Sequence, residues 1–170
     1  MIELQTERLR LVALDGEHLR LLLENPEDFC RRLGVASNRV ETNEELRCAR
    51  EKMYAGTKRC PEEYYWYTEW QIIYKEENSI VGSFCFKGAP NELGEVEVGY
   101  STASPYRSKG FMTEAMRVVA TWVFKNAGVT ALIAETPKDN VPSHRVLQKI
   151  GMEIVRESPT SFWWRLRRRS

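Results

Sequence analysis

From Arg8 to Leu14 the chain alternates, with Leu9, Leu11 and Ala13 on one side of an extended backbone and Arg8, Arg10, Val12 and Leu14 on the other, which predicts a first strand. Asp15 then offers a side-chain acceptor to start a helix carrying Leu19, Leu22 and Leu23. A more charged helix is predicted from Asn43 to Ala55, with Leu46, Ala49 and Met53 inward and Gly56 ending it. Tyr64, Trp66, Thr68, Trp70, Ile72 and Tyr74 share one parity, opposite Glu69 and Gln71, which predicts a strand over Tyr64–Tyr74. The turn residues Glu77, Asn78 and Ser79 lead into a partner strand, Ile80–Lys87, and a third strand, Glu95–Ala103, follows Pro90, Asn91 and Gly94. Such short connections make this run an antiparallel meander.

Beyond Ala103 the period changes. Phe111–Ala127 reads as a helix with an apolar stripe of Ala115, Val118, Val119, Trp122 and Val123, stopped by Gly128. A short strand, Ala131–Thr136, a helix, Asp139–Lys149, closed by Gly151, and two strands, Met152–Glu157 and Ser161–Arg167, complete the chain. Strand, helix, strand implies one parallel crossover pair within an otherwise antiparallel sheet. The last strand alternates Phe162, Trp164 and Leu166 with Arg165 and Arg167, as a half-buried edge strand does.

Composition removes whole classes of function. At 170 residues and 42% hydrophobic content, with no repeat, low-complexity tract or linker, residues 1–170 read as a single domain. The 25 basic and 24 acidic side chains nearly cancel, so no overall field favours nucleic acid or an anionic membrane. Cys30, Cys48, Cys60 and Cys85 are far apart, and His18 and His144 are the only histidines, so neither a zinc site nor a disulfide framework is expected. The first residues lack a signal-type apolar stretch and the longest apolar run, Val118 to Phe124, is too short to span a bilayer, so a cytoplasmic protein is expected.

The candidate chemistry lies between the third strand and the helix at Phe111. In Ser104-Pro-Tyr-Arg107-Ser108-Lys109-Gly110-Phe111-Met112-Thr113 a glycine lets backbone N–H groups converge, the helix adds its positive end, and Arg107 and Lys109 add formal charge. This composition favours a phosphate group, although a plain basic loop has the same one. The chain has no GxxxxGK[ST] run, and no GxGxxG opens a helix after the first strand, so nucleotide P-loops and dinucleotide folds are not indicated.

The segment from Glu97 through Arg107 and Gly110 to Ala115 resembles the acetyl-CoA motif of the GNAT superfamily, an R/Q-x-x-G-x-G/A turn, with Met112 in place of the final small residue. Asn140-Val-Pro-Ser143-His-Arg-Val-Leu147-Gln-Lys-Ile-Gly151-Met is similar to an element of the branch that contains the ribosomal-protein N-acetyltransferases, as is the opening Thr6-Glu7-Arg8-Leu9-Arg10-Leu11. The resemblance implies an α/β fold, α+β in the segregated sense: a mixed, mainly antiparallel sheet of six to seven strands with about four helices over its faces. It also implies an N-acetyltransferase that uses acetyl-CoA as cosubstrate, without a metal, on a primary amine, either a protein N-terminus or a small molecule. Such a protein acts as a monomer or homodimer.

Residue by residue, the resemblance assigns the backbone of Tyr100, Ser101 and Thr102 to the pantetheine arm and to the acetyl carbonyl. It assigns Arg107, Ser108, Lys109, Gly110, Phe111, Met112 and Thr113 to the pyrophosphate. Aminolysis of a thioester needs an unprotonated amine, a stabilised oxyanion and a proton for the departing thiolate. Glu97 is the leading general base, Glu95 shares its parity, and Glu135 is the runner-up. Asn140 caps the next helix or contacts the pantetheine. Ser143 stands where the resemblance implies a hydroxyl near the CoA sulfur and is the candidate proton relay to the thiolate. Many members of the family use a tyrosine for this, and none lies between Asn140 and Glu157, which leaves the acid open. Each glutamate taken alone also suits a solvated strand, and the Tyr100 side chain suits the core. Cys85, between Phe84 and Phe86, reads as an inert thiol, and His144 as an exposed helix residue. Two readings stand beside the enzyme: a non-catalytic acyl-CoA-binding domain, and a nucleic-acid module using Arg165, Arg167, Arg168 and Arg169.

Overall fold

In the computed structural model, which describes residues 1–36 and 43–168, the strands form one eight-stranded sheet. They are β1 (Glu3–Gln5), β2 (Leu9–Ala13), β3 (Glu69–Tyr74), β4 (Ser79–Phe86), β5 (Glu95–Thr102), β6 (Ala131–Pro137), β7 (Glu153–Glu157) and β8 (Ser161–Arg167). The spatial order is β1-β2-β3-β4-β5-β6-β8-β7, and every neighbouring pair is antiparallel except β5 with β6. The helices are α1 (Gly16–Glu24), α2 (Pro26–Leu33), α3 (Glu44–Arg59), α4 (Phe111–Val123) and α5 (Val141–Lys149).

The alternation along the strands sorts side chains into two cores. Leu9, Leu11, Trp70, Ile72, Phe84, Phe86, Val96 and Val98 face α4, whose Ala115, Met116, Val119 and Val123 are fully buried, and Leu147 of α5 joins them. The opposite parity, Val12, Leu14 and Ile73, meets Leu19 and Leu22 of α1 and Phe29, Cys30 and Leu33 of α2. This second core covers only the β2–β3 end. Over β4, β5, β6 and β8 the same face is not covered by that core and carries Glu95, Glu97, Glu135 and Arg165 together with Cys85 and Trp163.

Two caps follow the sequence reading: Asp15 accepts from the His18 N–H at 2.9 Å and Asn140 from Ser143 at 3.3 Å, while Asn43, expected as the first helical residue, instead caps α3 by accepting from Leu46 at 2.8 Å. Elsewhere tertiary contacts overrule local pattern. The sheet has eight strands rather than six to seven because Glu3–Gln5, too short to show a period, pairs with β2. Among the described residues there are five α-helices rather than about four: α2 begins at Pro26 directly behind the cap Asn25.

Gly56 does not end α3, which runs on to Arg59; a Cβ at Gly56 would stand 3.0 Å from the Tyr67 Cβ, so the glycine admits a close crossing. Pro61–Trp66 is a 3₁₀ segment, so the strand expected from Tyr64 begins only at Glu69. An aromatic run of this length satisfies either period. Trp66 is buried because the turn packs it on Phe86 at 4.9 Å and Trp122 at 5.5 Å between ring centroids.

The C-terminal strand is not an edge strand either, because β7 lies outside it. Its Trp164 is buried and donates its indole N–H to the buried Thr136 hydroxyl at 2.8 Å, tying β8 to β6. Thr136→Val leaves that donor without a partner and is expected to destabilise the fold by about 1–3 kcal/mol in a urea titration; an unchanged midpoint would show that the bond is dispensable. Of the C-terminal arginines, Arg165 pairs with Glu95 at 2.7 Å, Arg168 reaches the Asn126 and Ala127 carbonyls at 3.4 Å, and Arg169 lies outside the described residues. Among the described residues no helix is long and apolar enough to cross a membrane.

Candidate functional site

The parallel pair β5 and β6 is joined at only three rungs, Glu95 with Ala131, Val96 with Leu132 and Glu97 with Ile133. Beyond Glu97 the two strands part. β5 stays on β4 as far as Thr102 opposite Gly82, and β6 stays on β8 as far as Pro137 opposite Ser161. A wedge opens between them at their C-terminal ends, with unpaired strand backbone on both walls. Such edges accept an extended ligand as an added strand. Tyr100, Ser101 and Thr102 form the β5 wall and Glu135 belongs to the β6 wall.

At the open end of the wedge, β5 runs through a 3₁₀ turn, Ser104–Tyr106, into the loop before α4. The Arg107 N–H is directed at the Ser104 carbonyl at 3.4 Å and its guanidinium at the Thr102 carbonyl at 3.3 Å, so Arg107 braces the loop. From Ser108 to Thr113, six consecutive backbone N–H groups have no acceptor among the described residues, and the first inward bond is Glu114 to the Gly110 carbonyl at 3.1 Å. Ser108 and Gly110 have left-handed backbones, φ 61° and 81°, which turn successive amides toward one side. With the positive end of α4 behind them, these amides make a cup suited to a phosphate anion. Met112 sends its side chain into the core and leaves its N–H in the cup.

The opening Thr6-Glu7-Arg8 run, read from sequence only as part of a strand, has a further task here. The Thr6 hydroxyl donates to Glu114 Oε1 at 2.5 Å, the Arg8 guanidinium holds Glu114 Oε2 at 2.7 Å, and Arg8 also reaches the Lys109 carbonyl at 3.2 Å. The cup and the first turn of α4 are thereby clamped to the segment between β1 and β2. Partial burial resists ionisation of Glu114, but the Thr6 and Arg8 bonds outweigh it and hold its carboxyl below the usual range.

α5 covers the wedge on the core side. The Tyr100 hydroxyl crosses to it and donates to the Ser143 carbonyl at 3.3 Å, while Asn140 caps the same turn, so Asn140 and Ser143 stand beside the wedge together. Burial pushes the Tyr100 phenol up to about 12, partly offset by its bond to Ser143, so it stays protonated at neutral pH. His144 is less free than its helix position suggests: its ring is bonded to the Pro137 carbonyl at 2.9 Å and packs on Phe162 and Trp164.

The opposite face of the wedge carries the acids. Glu97 lies at its apex, with the Lys87 ammonium against its carboxylate. Its Oε1 is buried and receives no aligned hydrogen bond among the described residues. Glu95 is engaged by Arg165. Glu135, across the wedge from Glu97, is exposed and has no partner among the described residues; it stands opposite Trp163, whose ring carries the Arg156 guanidinium at 3.8 Å. Cys85 is on this face too, and burial pushes its thiol up to about 11, with Glu69 adding to the rise. That suits an inert thiol.

Sequence reasoning missed Lys87 and Trp163. Neither belongs to a motif, and both come to the wedge only through cross-strand register. Among the described residues no group of three or more His, Cys, Asp or Glu could hold a metal ion.

Residues 8–153 match the family model described as an acetyltransferase (GNAT) domain. The chain is 29% identical to a Bacillus subtilis strain 168 protein named uncharacterized N-acetyltransferase YjdG, over 96% of this chain and 97% of that one. It is 31% identical to the B. subtilis protein named uncharacterized N-acetyltransferase YnaD, over 48% of this chain and 47% of that one. Among solved structures, a ribosomal-protein-S5-alanine acetyltransferase from Vibrio fischeri superposes with a TM-score of 0.72 at 16% identity, covering 98% of this chain and 97% of that one. The ribosomal L7/L12 alpha-N-protein acetyltransferase RimL in complex with coenzyme A gives 0.69 at 14% identity, covering 98% of each chain.

Proposed function

Since the chain belongs to the GNAT acetyltransferase family, we propose that it transfers the acetyl group of acetyl-CoA to a primary amine by direct attack within a ternary complex, with residues 1–170 acting as one unit. The single observation that carries this reading is the run of free amides from Ser108 to Thr113 at the mouth of the β5–β6 wedge. The cup holds the diphosphate, assisted by the charges of Arg107 and Lys109. The pantetheine arm enters the wedge against the backbone of Tyr100, Ser101 and Thr102, with Asn140 and Ser143 on its other side. RimL, a neighbour in fold, is a protein that holds coenzyme A.

In this arrangement the acetyl carbonyl reaches the apex of the wedge, where a β5 amide stabilises the oxyanion. Glu97 takes the proton from the attacking amine, directly or through water, and Glu135 is the alternative base. Ser143 relays a proton to the leaving thiolate. An acceptor carrying an ammonium is favoured by the uncompensated charge of Glu135 at the opening. The fold neighbours that act on ribosomal proteins favour a protein N-terminus over a small amine as acceptor, and either a monomer or a homodimer accommodates the site.

The test is free-thiol release from acetyl-CoA across a panel of peptides with free N-termini and small amines. Saturable, acceptor-dependent release is expected for at least one class. Saturable acetyl-CoA binding with no acceptor-dependent release anywhere would instead identify a non-catalytic acyl-CoA-binding domain.

A further inference from the structure

The face that carries Glu97 also carries a resident amine. Lys87 directly follows β4 and lies opposite Glu97, its backbone N–H donating to the Glu97 carbonyl at 2.9 Å. Its side chain is 54% exposed and that of Glu97 27%, so the ammonium lies over the carboxylate from the solvent side. Glu97 forms the last rung before β5 and β6 part, and Lys87 reaches its carboxylate across β5 from the β4 side. Other lysines are engaged elsewhere: Lys75 with the Thr6 carbonyl, Lys138 with Glu157, Lys58 over Tyr54 and Lys109 over Tyr106. Among the described residues no other lysine is paired with Glu97 or Glu135.

A carboxylate that deprotonates an amine has to touch it, so the nitrogen already in contact with the base marks a place a nucleophile can occupy. We propose that Lys87 is a site of self-acetylation, modified by its own chain from acetyl-CoA when no acceptor occupies the face beside Glu97. The proposal rests on the transferase reading given above.

The Lys87 ammonium gives one proton to Glu97. The freed Nζ lone pair then attacks the thioester carbonyl carbon. The N–C bond forms, the C–S bond breaks, and the second nitrogen proton goes to the departing sulfur. The products are Nε-acetyl-lysine, coenzyme A thiol and the proton on Glu97, which passes to solvent. The amide is neutral, so acetylation removes the cation that sits on Glu97 and makes the acceptor face more negative by one charge. Acetyl-CoA in excess over acceptor would in this way mark the enzyme at its own acceptor site.

The experiment uses the full chain. Acetyl-CoA binding is first measured by calorimetry, the protein is then incubated with acetyl-CoA without acceptor, and acetylation of each lysine is followed by peptide mass spectrometry. Lys87 is expected to react at least about tenfold faster than the exposed Lys125, because only its nitrogen is held at the base. The rate constant should not depend on protein concentration, and Glu97→Gln should reduce labelling of Lys87 to the Lys125 level. Lys87→Arg should remove the fast modification and leave the slow reaction of Lys125 as it was.

If acetyl-CoA binds and an acceptor is turned over, yet Lys87 reacts no faster than Lys125, self-acetylation is wrong while the transferase reading stands. A rate constant that rises with protein concentration overturns transfer within one chain. Absence of acetyl-CoA binding overturns the transferase reading and the proposal together.

Discussion

Glu97→Gln is expected to lower kcat by roughly 10²–10⁴-fold with acetyl-CoA affinity unchanged, the range for loss of a positioned general base. The amide is nearly isosteric with the carboxylate and keeps an acceptor oxygen, so β5 and the wedge should hold their shape. What it lacks is basicity, and it also loses the attraction for Lys87. The Glu97 side chain points away from the core that packs on α4, so the substitution leaves the cup untouched. Steady-state kinetics with a competent acceptor, paired with calorimetric titration of acetyl-CoA, separates these effects. The informative comparison is Glu135→Gln. If that variant loses turnover and Glu97→Gln keeps it, the base is the exposed glutamate on β6, and the apex carboxylate serves only to hold Lys87.

Gly110→Pro is expected to weaken acetyl-CoA binding by at least about 100-fold, since each hydrogen bond to a charged group contributes about 1.5–3 kcal/mol and more than one is lost. Proline has no N–H to offer the phosphate, and its ring holds φ near −65° where Gly110 has 81°. The loop must therefore rotate, which turns the amides of Lys109 and Phe111 out of the cup. Gly110→Ala provides the control for misfolding. A Cβ there meets nothing nearer than Arg8 Nη2 at 3.5 Å, and the amide is kept, so the variant carries only the backbone strain of about 1–2 kcal/mol. A folded Gly110→Pro protein with full affinity for acetyl-CoA would remove the cup from the site.

Taken on their own, the residues in order were enough for the parts of the molecule that depend on near neighbours. The apolar period of β2, β4, β5 and α4, the caps at Asp15 and Asn140, and the glycine-bearing basic turn before α4 are local, because periodicity and capping act within a turn or a pair of strands. From these followed the mixed sheet, the single parallel pair and the segment able to bind phosphate.

Local pattern failed where a long-range contact decided the outcome. Glu3–Gln5 is a strand only because β2 lies beside it, and Pro61–Trp66 coils because Trp66 gains more from Phe86 and Trp122 than from extending the ladder. Gly56 continues a helix because Tyr67 crosses it.

The chemistry divides along the same line. The sequence named Glu97, but Lys87 reached it through the β4–β5 register and Trp163 came opposite Glu135 through the β6–β8 register. Thr6 and Arg8 found Glu114 more than a hundred positions away. Short-range free energies choose elements and are written into consecutive residues. Which side chains share a site depends on how the strands register and where they separate, and that is settled by packing of the whole sheet.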